Sequence, residues 1–141
     1  PRGKGLFHPA EFIPARELPD AEYPFVLNTG RMLQHWHTGT MTRRARALDE
    51  IAPEPFVDIH PDDAAALGVA AGDPVRVESR RGAIVVPARV NTRVDRGNVF
   101  IPFHFREAAA NLLTIDALDP TAKIPEFKFC AVRLAKAAGS P

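Results

Sequence analysis

Apolar and polar residues alternate in several short stretches of the chain, and glycine, proline, asparagine or aspartate stands between these stretches. Alternation over four to eight residues with such boundaries predicts half-buried β-strands. The predicted strands are PFVLN (24–28), FVDIH (56–60), PVRVES (74–79), AIVVPARV (83–90), NVFIP (98–102) and FCAVRL (129–134). Six short strands predict a mainly β domain, and a closed or nearly closed barrel fits best because closure removes exposed strand edges. The alternation alone does not separate a barrel from a sandwich.

One short helix is predicted between the second and third strands, in PDDAAALG (61–68). Proline suits the first helical position, and the two aspartates suit the positive N-terminal end. The alanines propagate the helix, and Gly68 ends it. Proline is frequent along the whole chain, at 14 of 141 residues, which argues against long helices.

The third and fourth strands are predicted to form a hairpin through a turn at Arg80-Arg81-Gly82. Val77 lies in the first of these strands and Val85 in the second. Truncation of either valine is expected to unfold the barrel, because the loss of buried apolar groups typically costs a few kcal/mol against a small total stability.

Two long segments, 31–55 and 103–128, show neither helical nor strand periodicity. Connections of this length in a compact domain are usually functional or disordered. The first contains HWHTGTMTRR (35–44), which combines rings, hydroxyl groups and positive charge. We therefore predict two long ligand-binding loops and a ligand that is anionic and flat.

The first loop carries residues suited to phosphate. Thr38-Gly39-Thr40 offers hydroxyl groups and backbone N–H groups, although no Gly-Lys-Ser/Thr follows it as in a P-loop. Taken alone this would be a plain turn, and Arg43, Arg44 and Arg46 would be a solvated basic face. Together with Arg31 they favour a pyrophosphate, because arginine forks match phosphate oxygens.

His35 and His37 lie two residues apart, and on a strand they would point to the same side and could bind zinc. The remaining ligands for such a site are poor, because the chain offers one cysteine and scattered carboxylates. A pair of hydrogen-bonding histidines at a ligand pocket is therefore the favoured hypothesis.

The second loop offers further polar candidates, although nothing in the sequence selects an acid or a base among them. Asn111 is either a surface residue or an amide that pairs with the edge of a purine or pterin. Lys128 is either solvated or placed to meet an anion. His104 and Glu107 could serve as acid–base groups in principle, but no nucleophile–base arrangement is recognisable. The other polar candidates of the second loop are Arg106, Thr114, Asp116 and Asp119.

Length and composition indicate an ordinary globular protein with one compact domain, at 141 residues, 45% hydrophobic and 25% charged. The net charge of +1 argues against a general polyanion binder, so an anion site must be local. Cys130 is the only cysteine, and its apolar surroundings predict a buried, inert thiol. No stretch is long and apolar enough to span a membrane, and no signal peptide is visible.

These features divide the chain into three parts. Residues 1–22 are predicted to form an extended segment that leads into the domain, residues 23–135 the barrel, and residues 136–141 a flexible tail. The chain starts without methionine, so its true N-terminus is expected to lie elsewhere.

The chain contains, in this order, YPFVLNTGR, HWHTGTMTRR, PDDAAALGV, AGDPVRVESRRG, IPFHFREAAANLLT and KIPEFKFCAVRL. These six segments, which cover roughly residues 20–135, resemble the C-terminal domain of molybdopterin-dependent oxidoreductases. They are most similar to the catalytic subunit of NAD-dependent formate dehydrogenases. The preceding GKGLFHPAEF resembles the segment that leads into this domain.

The resemblance implies a six-stranded double-psi β-barrel that binds bis(molybdopterin guanine dinucleotide), the organic part of a molybdenum or tungsten cofactor. The pterins, pyrophosphates and guanines of this ligand would account for the rings, hydroxyls and arginines of the decapeptide. No catalytic or metal-ligating residue is implied in this chain. The implied cofactor-binding residues are Thr29, Gly30, Arg31, His35, His37, Thr38, Gly39, Thr40, Met41, Asn111 and Lys128.

The resemblance also implies an oxidoreductase around the domain. In such an enzyme formate gives up a hydride and leaves as carbon dioxide, and electrons pass through iron–sulfur clusters to a flavin and NAD. The chain would be one domain of a larger cytoplasmic subunit, not catalytic alone, with the 4Fe-4S site and the metal-ligating residue elsewhere. Its partners would be the rest of the catalytic subunit and electron-transfer subunits, with no nucleic acid and no membrane.

Three alternatives remain open at this point. A nitrate reductase or another molybdopterin oxidoreductase carries the same domain. A single-stranded nucleic-acid-binding barrel would stack bases on Trp36, Phe103 and Phe105, although a near-neutral net charge argues against it. An independent cofactor-carrying or interaction module is the third.

Overall fold

All six predicted strands form in the computed structural model, which describes residues 3–138. Two of them match the prediction, and the other four differ from it by one or two residues at one or both ends. The strands are β1 Phe25–Gly30, β2 Val57–Ile59, β3 Pro74–Glu78, β4 Ala83–Val90, β5 Asn98–Pro102 and β6 Phe129–Lys136.

The strands close into a barrel in the order β1-β5-β2-β4-β3-β6, with β6 pairing back to β1. β1 and β5 are parallel, as are β2 and β4, and the other four pairs are antiparallel. Shifting every strand number by three reproduces this pairing scheme, so the two halves of the barrel share one topology. The prediction of a six-stranded double-psi β-barrel is confirmed, and a sandwich is excluded because the sheet is closed.

Alternate residues of the strands point inward and form one core. In β3 Val75 and Val77 are fully buried, and in β4 the inward positions are Ile84, Val86 and Ala88. Such burial supplies the main favourable free energy of folding. Cys130 of β6 is also buried, as predicted, and burial raises the pKa of its thiol to about 11.

Val85 does not belong to this core, and the expectation that its truncation unfolds the barrel is wrong. Its side chain is 52% exposed because β4 places its neighbours Ile84 and Val86 inside. The sequence is apolar at all three positions, so alternation could not show which face points inward.

The helices are short. α1, Arg46–Ile51, lies in the first long loop after a 3-10 turn and was not predicted from the sequence. α2, Pro61–Ala66, forms where predicted, with Pro61 at its first turn and the His60 side chain accepting a hydrogen bond from the N–H of Asp62. Gly68 follows with a positive φ of 65° and ends the turn. No helix among residues 3–138 has the length and apolar character needed to cross a membrane.

The segment before the barrel, residues 3–22, contains no helix or strand, and Glu17 makes several of its contacts with the barrel. Glu17 accepts hydrogen bonds from Arg81, from Arg80 and from the backbone N–H of Ala131, at 2.7–3.0 Å. Burial alone would raise the pKa of Glu17, but the hydrogen bonds from Arg81 and Ala131 outweigh it and lower the pKa.

The other end of the chain departs from the prediction at one point. β6 continues to Lys136, which pairs with Val75 and donates to Asp73 at 2.7 Å, so Lys136 belongs to the barrel and not to a tail. Residues 139–141 of the predicted flexible tail lie outside the described residues.

Val77→Ala should lower the free energy of unfolding by roughly 2–3 kcal/mol, because it removes two fully buried methyl groups and leaves a cavity. Val85→Ala is the matched control and should change stability by less than about 0.5 kcal/mol. Urea unfolding followed by circular dichroism measures both. Equal losses in the two variants would contradict the assigned faces of the hairpin.

Candidate functional site

The two long loops leave the barrel side by side. β1 and β5 run parallel, with Gly30 in register with Pro102, so the chain segments that follow them start at the same end. The backbone N–H of Phe103 donates to the carbonyl of Gly30 at 3.2 Å and joins the loops where they begin. The predicted ligand-binding loops therefore face each other across one end of the barrel.

An ion pair fastens the loops to each other further out. Arg43 of the first loop donates to both carboxylate oxygens of Glu107 in the second, at 2.8 and 3.1 Å, and to Asp49 at 3.3 Å. Its guanidinium also lies 5.0 Å from the centre of the Phe105 ring. These contacts raise the pKa of Arg43 and lower that of Glu107, mainly through the hydrogen bond between them.

His35 is buried inside the first loop and stabilises it through hydrogen bonds. Its side chain is 1% exposed, with Nδ1 3.3 Å from the Thr42 hydroxyl and Nε2 3.0 Å from the carbonyl of Ala52. A carbonyl only accepts, so Nε2 carries the proton. The Thr42 oxygen accepts from the N–H of Trp36 at 3.0 Å and can donate its own proton to Nδ1. Both ring nitrogens are thus occupied by residues of the first loop. A direct contact between His35 and a cofactor, as the resemblance implied, does not fit this arrangement.

A basic depression of about 470 Å³ opens between the loops. The Thr38 and Thr40 hydroxyls lie 2.9 Å apart at its edge. Gly39 between them has a φ of 71°, and a side chain there would approach Cγ of Arg43 to 3.0 Å. Arg44 and Arg106 are exposed, so their guanidinium groups face solvent. The lining consists of Thr38, Gly39, Thr40, Arg43, Arg44, His104, Arg106 and Glu107.

A second depression of about 380 Å³ adjoins the first and shares Thr38 with it; we call it the ring-lined depression. His37, which has a positive φ of 50°, stands edge-on to Phe103 at 5.7 Å between ring centres. Phe103 in turn meets Phe127 at 6.1 Å. The lining consists of His37, Thr38, Phe103, Asn111, Thr114, Ile115, Pro125 and Phe127. The structure thus places Asn111, His37 and Thr38 around one depression.

The four arginines of the first loop do not form one cluster. Arg31 stacks on Trp36 at 4.8 Å and lines a different depression, of about 340 Å³, with Phe56, Arg89 and Phe100. Arg46 lies on α1, almost fully exposed, and pairs with Glu50 one turn later. A single pyrophosphate bound by all four arginines, as hypothesised from the sequence, is therefore wrong.

The first predicted contact turn is part of the barrel. Thr29 and Gly30 belong to β1, and the Thr29 hydroxyl donates to the carbonyl of Phe127 at 2.6 Å. A side chain at Gly30 would come within 2.6 Å of the Phe100 ring, so a larger residue here would have to displace that ring. Lys128 and Met41 are exposed and line neither the basic nor the ring-lined depression.

His104 stands out among the residues that sequence reasoning did not select. It is 4% exposed, lines the basic depression, and neither ring nitrogen has a hydrogen-bond partner among residues 3–138. Burial, His35 at 4.6 Å between ring centres and the charge of Arg43 lower its pKa from 6.5 to about 4. The available signal in the sequence was a histidine between Phe103 and Phe105, immediately after a strand.

Two alternatives lose support in this geometry. Phe105 is fully buried, so it cannot stack on a nucleic-acid base as the single-stranded nucleic-acid hypothesis required. Across the part of the chain that the structure describes, no group of three or more histidine, cysteine, aspartate or glutamate side chains could hold a metal ion.

Comparison with known proteins identifies relatives of the domain. The family described as Molydopterin dinucleotide binding domain matches residues 25–131. The alpha subunit of the F420-dependent formate dehydrogenase of Methanocaldococcus jannaschii is 52% identical over 132 residues, which are 94% of this chain and 20% of that protein. The corresponding subunit of formate dehydrogenase 1 of Methanococcus maripaludis is 46% identical over 136 residues, again 20% of its length. The chain thus spans about a fifth of these relatives.

Among solved structures, acetylene hydratase from Pelobacter acetylenicus superposes with a TM-score of 0.71 over 82% of this chain and 19% of that protein. At 20% sequence identity this similarity supports the fold alone. Both of these relatives are F420-dependent formate dehydrogenases, whereas the resemblance in the sequence implied an NAD-dependent one.

Acid should destabilise the protein through His104. The unfolded chain takes up a proton on this residue near pH 6.5 and the folded chain only near pH 4, so stability falls as the pH drops through that window. The contribution is at most roughly 3 kcal/mol. Urea unfolding at pH 7, 6 and 5 should show a steeper loss for the wild type than for His104→Phe. Parallel profiles would contradict the assigned protonation state.

Proposed function

The chain belongs to the molybdopterin dinucleotide-binding domain family, and we propose that it holds bis(molybdopterin guanine dinucleotide), with molybdenum or tungsten, in a formate dehydrogenase. The observation that carries the proposal is the pair of adjoining depressions at one end of the barrel, one basic and one lined by rings. A dinucleotide has the matching parts, namely a charged diphosphate and flat heterocycles.

The residues present fit such a ligand. Arg44 and Arg106 are exposed at the basic depression and would pair with diphosphate oxygens, and the hydroxyls of Thr38 and Thr40 could add hydrogen bonds. His104 lines the same depression, and its buried ring nitrogens have no hydrogen-bond partner among residues 3–138. Nothing in this lining opposes an anion except Glu107, which pairs with Arg43 and with Arg106.

The ring-lined depression would take a heterocycle. Phe103, Phe127 and His37 offer ring edges and faces, and the Asn111 amide offers both a donor and an acceptor for the edge of a pterin or guanine. Gly39 would let the backbone approach the ligand closely, because a side chain there would be strained. Met41 and Lys128, both exposed beside these loops, would extend the contact surface.

The remaining predicted residues would not contact the ligand within the basic or the ring-lined depression. Arg31 would meet a different part of the cofactor, since it lines its own depression with Arg89. Thr29, Gly30 and His35 would support the site indirectly. Thr29 joins β1 to Phe127, Gly30 accepts from the N–H of Phe103, and His35 holds the first loop in place.

The chain's own share in the reaction would be binding and orientation. When bound, the cofactor supplies the two-electron redox chemistry that oxidation of formate to carbon dioxide requires. The domain would fix its flat rings and charged linker and exclude water from them. Alone the chain would not turn over formate, because the metal-ligating residue and a 4Fe-4S cluster would belong to the rest of the subunit.

The relatives favour formate as the substrate over nitrate. Identities of 52% and 46% over nearly the whole chain connect it to formate dehydrogenase alpha subunits. The proposed partners are accordingly the rest of a cytoplasmic alpha subunit and the electron-transfer subunits that pass electrons to the acceptor.

Titration of the chain with GDP tests the dinucleotide site directly. Backbone amide shifts in nuclear magnetic resonance spectra should cluster at residues 37–44 and 103–115, with saturable binding. The double variant Arg44→Ala/Arg106→Ala should bind at least about tenfold more weakly, because two charge-assisted contacts are lost. Arg96→Ala, which removes an exposed arginine beside α2, should bind like the wild type. A folded spectrum that does not move at millimolar GDP would contradict a preformed dinucleotide site.

Arg31→Ala, made in the proposed longer subunit, should reduce the molybdenum or tungsten and pterin content about tenfold, through loss of one charge-assisted contact. Thermal stability should change little, because Arg31 is exposed. Metal analysis and pterin fluorescence measure the content, and Arg96→Ala is again the control. Full cofactor content at normal expression would remove Arg31 from the site.

A further inference from the structure

His104 combines deep burial with unused hydrogen-bonding capacity. Its side chain is 4% exposed, and both Nδ1 and Nε2 lack a partner among the described residues. Buried polar groups in native proteins are nearly always hydrogen-bonded, because an unpaired one costs stability. An imidazole at this position therefore calls for an explanation beyond packing.

Packing alone would be served better by an apolar ring. The imidazole lies 3.9 Å from the ring centre of Phe105 and 4.6 Å from that of His35. Phenylalanine would fill a similar volume among these rings without a buried donor or acceptor. His35, in the same cluster, shows the contrast, since both of its nitrogens are engaged by Thr42 and Ala52.

The position of His104 relates it to the basic depression. A Cβ built on Gly39 would lie 3.4 Å from Cβ of His104, so the histidine sits beneath the turn that carries the Thr38 and Thr40 hydroxyls. Arg43, Arg44 and Arg106 line the same depression. His104 thus belongs to the wall of a depression whose charge suits an anion, and its unpaired nitrogens lie just behind that wall.

We propose that His104 is a ligand-binding residue of the basic depression and that it donates a ring N–H to an anionic oxygen of a nucleoside diphosphate. This inference rests on the proposed function of the site. The arginines would supply the charge, and His104 would supply a directional hydrogen bond that fixes the diphosphate against the Thr38–Thr40 turn.

The groups around His104 favour the neutral form of its imidazole ring. Burial disfavours the charged ring, and both His35 and Arg43 lie next to it, while Glu107 is taken up by Arg43. A neutral ring keeps one donor and one acceptor through the physiological pH range. Because the nitrogens are buried, contact requires a rotation of the side chain or a shift of the Thr38–Thr40 turn.

His104→Phe separates a binding role from a structural one. The variant should unfold at the same temperature as the wild type or higher, because it removes two unpaired polar atoms and keeps the ring. Its affinity for GDP and for inorganic pyrophosphate, measured by amide titration, should fall at least about tenfold. His8→Phe, which replaces an exposed histidine of the lead-in segment, should change neither quantity.

The outcomes separate the inference from the proposed function. If wild-type chain binds GDP and His104→Phe binds it equally well, the role of His104 is wrong and the dinucleotide site stands. If His104→Phe is markedly less stable but binds normally, His104 is a packing residue. If the wild type binds neither GDP nor pyrophosphate, the dinucleotide site and the role of His104 fail together.

The ring nitrogens of the wild type give a test that does not depend on folding of the variant. Long-range proton–nitrogen spectra report the tautomer of His104, and its nitrogen shifts should change on addition of GDP with the same saturation curve as the amides of residues 38–40. Nitrogen shifts that stay constant while those amides titrate would overturn the inference.

Discussion

The parallel pairing of β1 with β5 is the constraint on which the site depends. Parallel strands end on the same side, and these two end in register at Gly30 and Pro102. Each continues into a long loop, so two segments more than 70 residues apart in the chain begin within one hydrogen bond of each other. Without that pairing nothing would bring Thr38 and Thr40 of the first loop close to Asn111 of the second.

The loops are held together by contacts between their own charged and polar groups. Arg43 pairs with Glu107 and Asp49, and the ring nitrogens of His35 contact the Thr42 hydroxyl and the carbonyl of Ala52. The positive charge left at the basic depression comes from the exposed arginines 44 and 106. The framework of the site and its capacity to attract an anion thus depend on different residues, which lets one be altered without loss of the other.

For this domain, sequence identity to relatives bears on the loops, whereas structural similarity bears only on the barrel. Identity near 50% to formate dehydrogenase subunits extends over nearly the whole chain and therefore includes both loops. The acetylene hydratase domain has the same barrel at 20% identity, which shows that the barrel tolerates wide divergence in sequence. Specific function in such a fold lies in the loops and their side chains and not in the strand framework.

The sequence by itself determined the elements: six strands, the helix α2 and the two loops were all predictable, because each depends on local alternation, turn residues and capping. It also indicated the kind of chemistry, since rings, hydroxyls and arginines in HWHTGTMTRR suit a flat anion whatever their arrangement. Only the tertiary structure decided where individual side chains point. Val85 and Arg46 face outward, while His35 and His104 face inward, because neighbours distant in sequence fill or leave the space around them. The residues next to them in the sequence do not distinguish His35, whose nitrogens hold the loop backbone, from His104, whose nitrogens lack partners among the described residues.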